Sequence, residues 1–400
     1  MADTADAIII GAGVHGASAA FHLAERGLRP VVLERDTAAC GATGRSSGLV
    51  RMHYDFEADS RLALMSHTYF QDWAERIGGD CGWVRTGFIL IAREGDEQSL
   101  NANVSMLRSI GVRTQVIDAS TLCELFPGVV TEDVRQAAWE PDSGYADPAA
   151  ATASLLQGAV RRGARLVQRT PVTSVRVAHN RVLGVDTTRG SWDAPIVVDA
   201  AGAWAGRIAA MAGVEIPLEV WRHDVAYVVR PASVPSHPPL IDFANSMYIR
   251  PEGDGLTLIG LEDGNELGSS PDRSTDAAAP EFPERAAVRI CHRLPAFDAA
   301  GFHSAHSGQD GLTPDEHPII GPAGPDGFYL DCGFSGTGFK TAPAVGRCLA
   351  ELVADGQASS VDLHPFRYER FARGELVHGE HAYGPIWRPE VLDATSRART

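Results

Sequence analysis

The sequence predicts an α/β protein with two parts: a split domain of parallel strands and glycine turns, and a second domain built on antiparallel β-sheet. Four observations predict this class. A strand–glycine–helix–strand unit occupies residues 7–34, and a second strand–glycine–helix unit occupies residues 328–353. Between them, an apolar run at residues 196–200 returns the chain to the first domain, and residues 214–300 carry several strand-like runs.

Three glycines with GxGxxG spacing, Gly11, Gly13 and Gly16, follow the first apolar run. Gly11 suits a tight turn, Gly13 lets backbone approach a pyrophosphate, and Gly16 lets the helix pack on the strand. The N-terminus of the helix then presents free N–H groups and a positive dipole end to phosphate oxygens. The motif therefore predicts a Rossmann-like site for a dinucleotide.

An acidic residue, Glu34, ends the second strand at residues 31–33. Its carboxylate is placed to accept hydrogen bonds from the hydroxyls of an adenosine ribose. The neighbouring Arg35 is included as a candidate at the same end of the cofactor. A GxGxxG motif alone is weak, but the same motif between two strands, followed by an acid, is strongly indicative.

A second glycine-rich turn, GFSGTGFK at residues 333–340, opens a helix predicted at about residues 341–353, with Pro343 in its first turn. The chain contains a single lysine, Lys340, and it lies at this turn. A helix N-terminus and a lysine aimed at a flavin pyrimidine would stabilise the negative charge of the reduced ring. The alternative is an ordinary turn with a solvated lysine; the two glycine turns together favour a long cofactor held at both ends.

The remaining elements follow from hydrophobic periodicity and from the positions of glycine and proline. Helices are predicted at residues 61–77, 97–110, 149–162 and 285–294. A strand is predicted at residues 83–92, and a β-rich region with a hairpin closed at Gly190 at residues 165–202. Extended loops are predicted at residues 138–148 and 270–283.

The composition limits the function classes. With 51 acidic and 35 basic residues, the formal charge is −16, which argues against binding to nucleic acid or to an anionic membrane. Six cysteines form neither a CxxC pair nor a zinc-type cluster, so we expect reduced thiols and no metal. The sequence shows no basic-then-apolar leader and no apolar stretch of roughly 18 residues, so we expect a cytoplasmic protein.

Seven segments, taken in order, resemble the FAD-dependent D-amino-acid oxidase superfamily, and above all its sarcosine oxidase-like (glycine/D-amino-acid oxidase) branch. They are the N-terminal fingerprint, GATGRSSG, GYADP, VVDAAGAWA, YIRPEGDG, TPDEHPIIG and GFSGTGFKTAPAVG, together spanning about residues 6–371. The resemblance implies a split FAD-binding domain (1–80, 145–212 and 308–371), a substrate-binding β-sheet domain (81–144 and 213–307) and an unassigned tail (372–400). It also implies oxidation of a C–N bond by hydride transfer to flavin N5.

The resemblance further implies which residues hold FAD. The residues that match the adenosine diphosphate half are Gly11, Gly13, Gly16 and Glu34, and Arg35 is a further candidate next to Glu34. Those matching the loop beside the pyrophosphate and flavin are Thr43, Arg45, Ser46 and Ser47. Val172 matches a position that offers backbone to adenine, and Gly202 matches a glycine near the cofactor. Those matching the pyrimidine end are Gly336, Gly338, Phe339 and Lys340.

For the substrate, Arg51 and Lys340 match the two cations that hold a carboxylate in the sarcosine oxidase-like branch. An arginine fork binds a carboxylate bidentately, and a lysine adds charge without fixed geometry. The alternative for Arg51 is a surface salt bridge. Tyr248 matches a tyrosine of the substrate pocket, with a half-buried strand aromatic as its alternative. Arg250 would point to the same face as Tyr248 and is a second-choice carboxylate ligand.

Some positions depart from the family pattern. Gly308 and, approximately, Arg45 stand where covalent members have a cysteine or a histidine, so we predict non-covalent FAD. Residues 309–311 lack the arginine of glycine and D-amino-acid oxidases. The strand near residues 257–260 lacks the second lysine that helps oxygen accept electrons. Either another cation substitutes for that lysine, or oxygen is not the main acceptor.

The sequence thus predicts a flavoenzyme that oxidises a secondary amino acid, N-methylated or cyclic, with oxygen or another compound as electron acceptor. His53 and Tyr54, close after Arg51, are weaker candidates for the pocket wall. The first alternative is a D-amino-acid or other amine dehydrogenase subunit that passes electrons to an acceptor other than oxygen. A non-catalytic flavin-containing subunit is a further alternative. A nicotinamide dehydrogenase would not explain the C-terminal glycine turn.

Overall fold

Strands and helices alternate along the part of the chain that the computed structural model describes, residues 2–272 and 276–383. The strands are β1 (Asp3–Thr4), β2 (Ala7–Ile10), β3 (Pro30–Leu33), β4 (Leu49–Val50), β5 (Val84–Arg85), β6 (Phe88–Ile91), β7 (Gln115–Ile117), β8 (Ala137–Glu140), β9 (Gly144–Tyr145), β10 (Arg165–Val167), β11 (Val172–Ala178), β12 (Arg181–Thr187), β13 (Gly190–Asp193), β14 (Val197–Asp199), β15 (Glu219–Val229), β16 (Leu240–Asp242), β17 (Met247–Glu252), β18 (Leu256–Leu261), β19 (Glu266–Leu267), β20 (Gly301–Leu312), β21 (Ile319–Pro322) and β22 (Phe328–Cys332). The helices are α1 (Val14–Glu25), α2 (Glu57–Gln71), α3 (Trp73–Arg76), α4 (Glu97–Ser109), α5 (Ala119–Leu125), α6 (Pro148–Arg161), α7 (Ala205–Met211), α8 (Phe282–Arg293), α9 (Gly338–Asp355) and α10 (Glu369–Arg373).

A six-stranded sheet in the order β10-β3-β2-β14-β22-β21 carries the glycine turns. Its strands are parallel except for β21, and the core strands are short apolar runs because both faces are buried. On one face α1 packs between α6 and α9, and on the other lie α7 and a four-stranded sheet, β1-β13-β12-β11. The carboxyl ends of β2, β3, β14 and β22 therefore meet at one edge, where open α/β sheets bind ligands. The predicted α/β class with a Rossmann-like sheet is confirmed.

A second large sheet has the order β19-β15-β18-β17-β16-β6-β8-β7, with β20 also paired to β15. Its pairs are antiparallel, as predicted, except that β16 runs parallel to β6. Opposite Tyr248 in this sheet stands Gly260, and a Cβ there would lie 2.0 Å from the Tyr248 ring. Gly260 thus leaves room for the tyrosine ring.

The division into two domains remains a proposal. The strand β20 belongs to the second large sheet as far as Leu312, which is beyond the predicted domain boundary at residue 307. Residues 384–400 of the predicted tail lie outside the described residues.

Several predicted elements differ from the structure at their boundaries. The helix predicted at residues 61–77 begins earlier, at Glu57, and is interrupted at Asp72, whose backbone leaves the helical conformation. The strand predicted at residues 83–92 is two strands in different sheets, since Gly87, at φ +78°, turns the chain between them. The helix predicted at residues 285–294 begins at Phe282.

The extended loop predicted at residues 138–148 was wrong in part. Ala137–Glu140 form β8, which lies between β6 and β7 and is almost fully buried. The side chains of Ala137 and Ala138 are small and fully buried. The Pro, Asp and Gly residues that follow them suggested a loop, and alanine has a low β-propensity, so the strand was missed.

The last long helix, α9, begins at Gly338 rather than Thr341, so Lys340 lies inside its first turn. Pro343 consequently falls in the second turn, where its missing N–H interrupts the hydrogen-bond ladder. At this turn the Ser66 hydroxyl of α2 donates to the Thr341 carbonyl at 3.0 Å and accepts from the Ala344 N–H at 3.0 Å, which ties α2 to α9.

Candidate active site

A cavity of about 770 Å³ connects the first glycine turn to the second. Ligand sites in proteins typically occupy roughly 300–1,000 Å³. Most of the site residues predicted from sequence line this cavity: Gly11, Gly13, Glu34, Arg35, Thr43, Arg45, Ser46, Ser47, Arg51, Val172, Gly202, Tyr248, Gly336, Gly338, Phe339 and Lys340. The predicted residues that do not line it are Gly16, Arg250 and the two weaker candidates, His53 and Tyr54.

The first glycine turn is closely packed behind the cavity. Gly11 has φ +106°, and a Cβ there would lie 2.5 Å from the Ala200 carbonyl oxygen. A Cβ at Gly16 would lie 2.0 Å from the Gly11 carbonyl oxygen, so Gly16 acts in packing, as its spacing predicted. Neither Gly11 nor Gly16 has room for a side chain.

On the cavity side the backbone is open. A Cβ at Gly202 would meet no atom within 4 Å, and one at Gly13 would meet only the Thr43 hydroxyl, at 3.2 Å. The N-terminus of α1 has no side-chain cap from Gly13, and the Val14 N–H donates to Thr43 Oγ1 at 3.0 Å. This open helix N-terminus fits the pyrophosphate of a dinucleotide.

Glu34 is buried at the end of β3, and both of its carboxylate oxygens accept backbone hydrogen bonds. Oε2 accepts from the Ala12 N–H and Oε1 from the Asp36 N–H, each at 2.8 Å. Oε1 also accepts from the Cys40 thiol at 3.9 Å, whereas Oε2 keeps a second lone pair that can accept a ribose hydroxyl. Next to it, the Arg35 guanidinium lies 3.7 Å from the Trp204 ring centroid, at the rim of the same end.

The loop after β3 brings Arg45 against Gly308, where a Cβ would lie 3.1 Å from the Arg45 Cβ. The Arg45 guanidinium donates to the Cys40 carbonyl and pairs with Asp276 at 2.7 Å. Gly308 and Arg45, which stand where covalent family members have a cysteine or a histidine, are therefore adjacent. Neither offers a thiol or an imidazole to a flavin.

The second glycine turn places the N-terminus of α9 at the other end of the cavity. Gly336, at φ +82°, donates its N–H to Asp310 Oδ2 at 2.7 Å, which fixes the turn. Thr337, the N-cap residue of α9, makes no side-chain cap, so the free N–H groups of α9 remain available to a ligand. Together with the open first turn, this fits a flavin dinucleotide gripped at both ends.

Arg51 and Lys340 are the central pair of the site. Both are buried, with 8% and 7% exposure, so the alternatives of a surface salt bridge and a solvated lysine were wrong. The Arg51 guanidinium donates to the His53 carbonyl, and Lys340 Nζ donates to the Gly336 carbonyl at 3.3 Å. Within residues 2–272 and 276–383, neither cation forms an ion pair with a carboxylate. Two buried cations that form no ion pair are costly, and together they fit a bound carboxylate.

The ionisation of Lys340 reflects this arrangement. Burial, and then the neighbouring Arg51, hold the pKa of Lys340 well below its usual value, against the opposing effects of Glu262 and Asp310. A carboxylate bound beside both cations would stabilise the protonated amine and raise that pKa again.

Tyr248 forms part of the cavity wall with a residue that sequence reasoning missed, His223. The Tyr248 hydroxyl lies 2.8 Å from His223 Nε2, and the two rings stack at 5.6 Å. Burial raises the pKa of Tyr248 well above its usual value, so the phenol stays neutral. Trp221 also lines the cavity. Trp221 and His223 are two residues apart on β15 and so share one face of the strand, which is the sequence pattern that could have indicated both.

Arg250 is a correction to the predicted site. Its guanidinium donates to the carbonyls of Ser47 and Pro251 and pairs with Glu252 at 2.5 Å, and Arg250 does not line the cavity. Because its charge already has a partner, Arg250 is not in a position to hold the substrate carboxylate.

The chain matches the family model described as FAD dependent oxidoreductase (DAO) over residues 6–352. Mitochondrial sarcosine dehydrogenase from Mus musculus is 30% identical over 408 residues, covering 94% of this chain but 42% of that protein. Mitochondrial dimethylglycine dehydrogenase from Homo sapiens is 28% identical, with 96% of this chain and 46% of that protein covered. The chain thus spans less than half the length of these relatives.

Two solved structures match nearly the full length of both chains. L-proline dehydrogenase from P. horikoshii superposes with a TM-score of 0.87 and 28% identity, covering 94% of this chain and 100% of that one. Glycine oxidase from Geobacillus kaustophilus superposes with a TM-score of 0.81 and 27% identity, covering 92% and 99%. Among the described residues, no helix combines the length and apolar character needed to span a bilayer.

Proposed function

The chain belongs to the DAO family of FAD-dependent oxidoreductases, and on that premise we propose that it oxidises the C–N bond of a secondary amino acid, N-methylated or cyclic. The observation that carries the proposal is the pair of buried cations, Arg51 and Lys340, which have no carboxylate partner among the described residues and line the same cavity as the glycine turns. A substrate amine without a carboxylate would gain no ionic interaction from these two cations.

In this proposal Arg51 and Lys340 hold the substrate carboxylate. The planar guanidinium supplies directed hydrogen bonds, and the Lys340 ammonium supplies charge at the start of α9. The two cations also lower the pKa of a nearby substrate amine, which favours the neutral nitrogen that hydride loss requires. Tyr248 and His223 form the wall beside the bound substrate, and no general base is assigned.

FAD fits the cavity, and when bound it supplies the acceptor for the substrate hydride. We propose that the open turn at Gly13, with Thr43, receives the pyrophosphate, that Glu34 receives the ribose, and that the N-terminus of α9 receives the pyrimidine end. Since neither Gly308 nor Arg45 provides a nucleophile at the flavin end, we propose that FAD is held without a covalent bond.

A second candidate keeps the substrate and changes the acceptor: a dehydrogenase that passes electrons to a compound other than oxygen. The strand β18 favours it. Thr257 is buried and hydrogen-bonded to His237, at 3.2 Å from Nε2, while Leu258 and Ile259 are fully buried in the apolar core. Residues 257–260 therefore present no cation to the cavity, whereas oxidases of the resembled branch use a lysine in this strand.

An anaerobic screen tests the substrate class. N-methyl, cyclic and D-amino acids are added to the holoprotein, and loss of the oxidised flavin absorbance is recorded. The proposal expects bleaching by secondary amino acids and none by the matching amines without a carboxylate; a flavin that none of them bleaches would contradict it. Oxygen uptake and dye reduction, compared on the same substrate, separate oxidase from dehydrogenase. Acid precipitation should leave the flavin in the supernatant.

A further inference from the structure

The described residues after α10 return to the substrate side of the molecule. Residues 377–383, here called the C-terminal strap, are held by the Asp315 side chain and by two side chains of α4. At its start the Val377 N–H donates to Asp315 Oδ2 at 3.0 Å. Further along, Asn103 Nδ2 donates to the His381 carbonyl at 3.0 Å, and Ser99 Oγ donates to the Ala382 carbonyl at 2.9 Å.

The strap also lies directly against the chain that follows Arg51. A Cβ at Gly379 would lie 2.3 Å from the Asp55 carboxylate, so a larger residue would require the Asp55 side chain or the strap to move. The Glu57 N–H donates to Glu380 Oε2 at 2.8 Å, at the first residue of α2. The strap is thus packed along residues 53–57 rather than lying on the surface by itself.

At the end of the strap, Tyr383 reaches His53. The Tyr383 hydroxyl lies 2.6 Å from His53 Nε2, and the Tyr383 ring packs at 5.1 Å from the Phe243 ring. The same apolar cluster includes Leu49 and Tyr248, both of which line the cavity. Tyr383 therefore packs behind the substrate end of the cavity without lining it.

His53 connects Tyr383 to Arg51. Burial, and then the nearby Arg51 charge, lower the pKa of His53 to about 3, so its imidazole is neutral. The Tyr383 hydroxyl is the partner of Nε2, and Nδ1 has no hydrogen-bond partner among the described residues. The His53 carbonyl in turn accepts the Arg51 guanidinium hydrogen bond.

We propose that Tyr383 is a positioning residue for Arg51: by fixing the His53 ring, the C-terminal strap holds the carbonyl that orients the guanidinium for the substrate carboxylate. The inference rests on the proposed function, in which Arg51 binds that carboxylate. Arginine has many rotamers, and ordering one costs binding free energy unless it is fixed beforehand. Without the Tyr383 hydroxyl, both His53 ring nitrogens would lack partners, so the ring and its carbonyl would shift.

The test compares Tyr383→Phe with Tyr368→Phe in the holoprotein. Tyr368 is a matched control, because its hydroxyl donates to the Glu215 carbonyl at 2.6 Å, away from Arg51. Two quantities are measured: KM and kcat for the amino acid found in the anaerobic screen, and the Kd of a non-reacting small carboxylate by calorimetry. We expect Tyr383→Phe to raise both KM and Kd about fivefold and to change kcat little. Tyr368→Phe should leave KM and Kd unchanged.

A double-mutant cycle separates this inference from the proposed function. In an Arg51→Met background the Tyr383→Phe change should have no further effect on carboxylate affinity, because there is no guanidinium left to orient. If Arg51→Met weakens carboxylate binding but Tyr383→Phe leaves it within twofold of the wild type, the positioning role is overturned while the function stands. If Arg51→Met itself leaves carboxylate binding unchanged, both are overturned.

Discussion

Arg51 and Lys340 approach the same aromatic ring, that of Tyr54. The guanidinium carbon of Arg51 lies 4.5 Å from the ring centroid, and the ammonium nitrogen of Lys340 lies 5.9 Å from it. Cation–π contacts of this kind contribute about 0.5–2 kcal/mol each, which offsets part of the cost of burying two like charges. In the proposed function, the bound substrate carboxylate offsets the remaining cost.

Replacing Lys340 with methionine keeps the volume of the side chain and removes its charge. We expect KM for the amino-acid substrate to rise about ten- to a hundredfold, because a hydrogen bond to a charged group is lost, and flavin reduction to slow as well. Steady-state turnover measures KM, and stopped-flow reduction under anaerobic conditions measures the rate of flavin reduction. A reduction rate and KM equal to those of the wild type would remove Lys340 from the site.

Carboxylate binding should weaken as pH rises. Burial and Arg51 hold the pKa of Lys340 well below its usual value, so the ammonium is lost at a lower pH than in an exposed lysine. Since the carboxylate binds the protonated form, its Kd should increase as pH rises through that lowered pKa. Calorimetry of a non-reacting carboxylate across a pH series measures this, and Lys340→Met should abolish the dependence. A pH profile that survives in Lys340→Met would assign it to another group.

The two glycines Gly13 and Gly16 should respond differently to alanine. Gly13→Ala adds a Cβ on the cavity side, so we expect weaker FAD binding by the apoprotein with a nearly unchanged Tm. Gly16→Ala forces a Cβ to 2.0 Å from the Gly11 carbonyl oxygen, so we expect loss of stability as well. Fluorescence titration with FAD and a thermal melt of each apoprotein measure the two effects. Equal FAD affinity in Gly13→Ala and the wild type would contradict the assignment of the first turn.

A buried ion pair anchors the start of the C-terminal strap. Arg370 Nε lies 2.7 Å from Asp315 Oδ2, and both side chains are fully buried. We expect Arg370→Met to cost about 3–5 kcal/mol in the free energy of unfolding, since it leaves the Asp315 carboxylate buried without a cation. Urea denaturation measures this, with Arg373→Met, an exposed residue of the same helix, as the control. A loss below about 1 kcal/mol would contradict this estimate.

The same variant should show a pH signature. Burial raises the pKa of Asp315, but the Arg370 guanidinium more than offsets this and holds it below its usual value. A carboxyl with a depressed folded-state pKa contributes stability above its unfolded pKa of about 4 and loses it as pH falls through the folded pKa. The stability deficit of Arg370→Met should therefore be largest near neutral pH and should narrow in acid.

The two glycine turns, and the lysine at the second one, could be predicted from the sequence because their chemistry is local. The spacing of Gly11, Gly13 and Gly16 indicates a tight turn and a close approach of backbone to a pyrophosphate. The sole lysine, Lys340, directly follows the glycines of the second turn in the sequence. The direction of the Arg250 side chain could not be predicted from strand alternation. It is set by the Ser47 carbonyl, which is remote in sequence, and by Glu252, the last residue of the same strand. The strap is polar with scattered aromatics, and only long-range contacts with residues 53–57 reveal its place.

A crystal structure of the holoprotein with a non-reacting carboxylate tests the central claim most directly. We predict FAD along the cavity with its pyrophosphate at the N-terminus of α1, its pyrimidine at the N-terminus of α9, and the carboxylate within hydrogen-bond distance of both the Arg51 guanidinium and Lys340 Nζ. A carboxylate bound elsewhere, with Arg51 and Lys340 contacting only protein or water, would contradict the account.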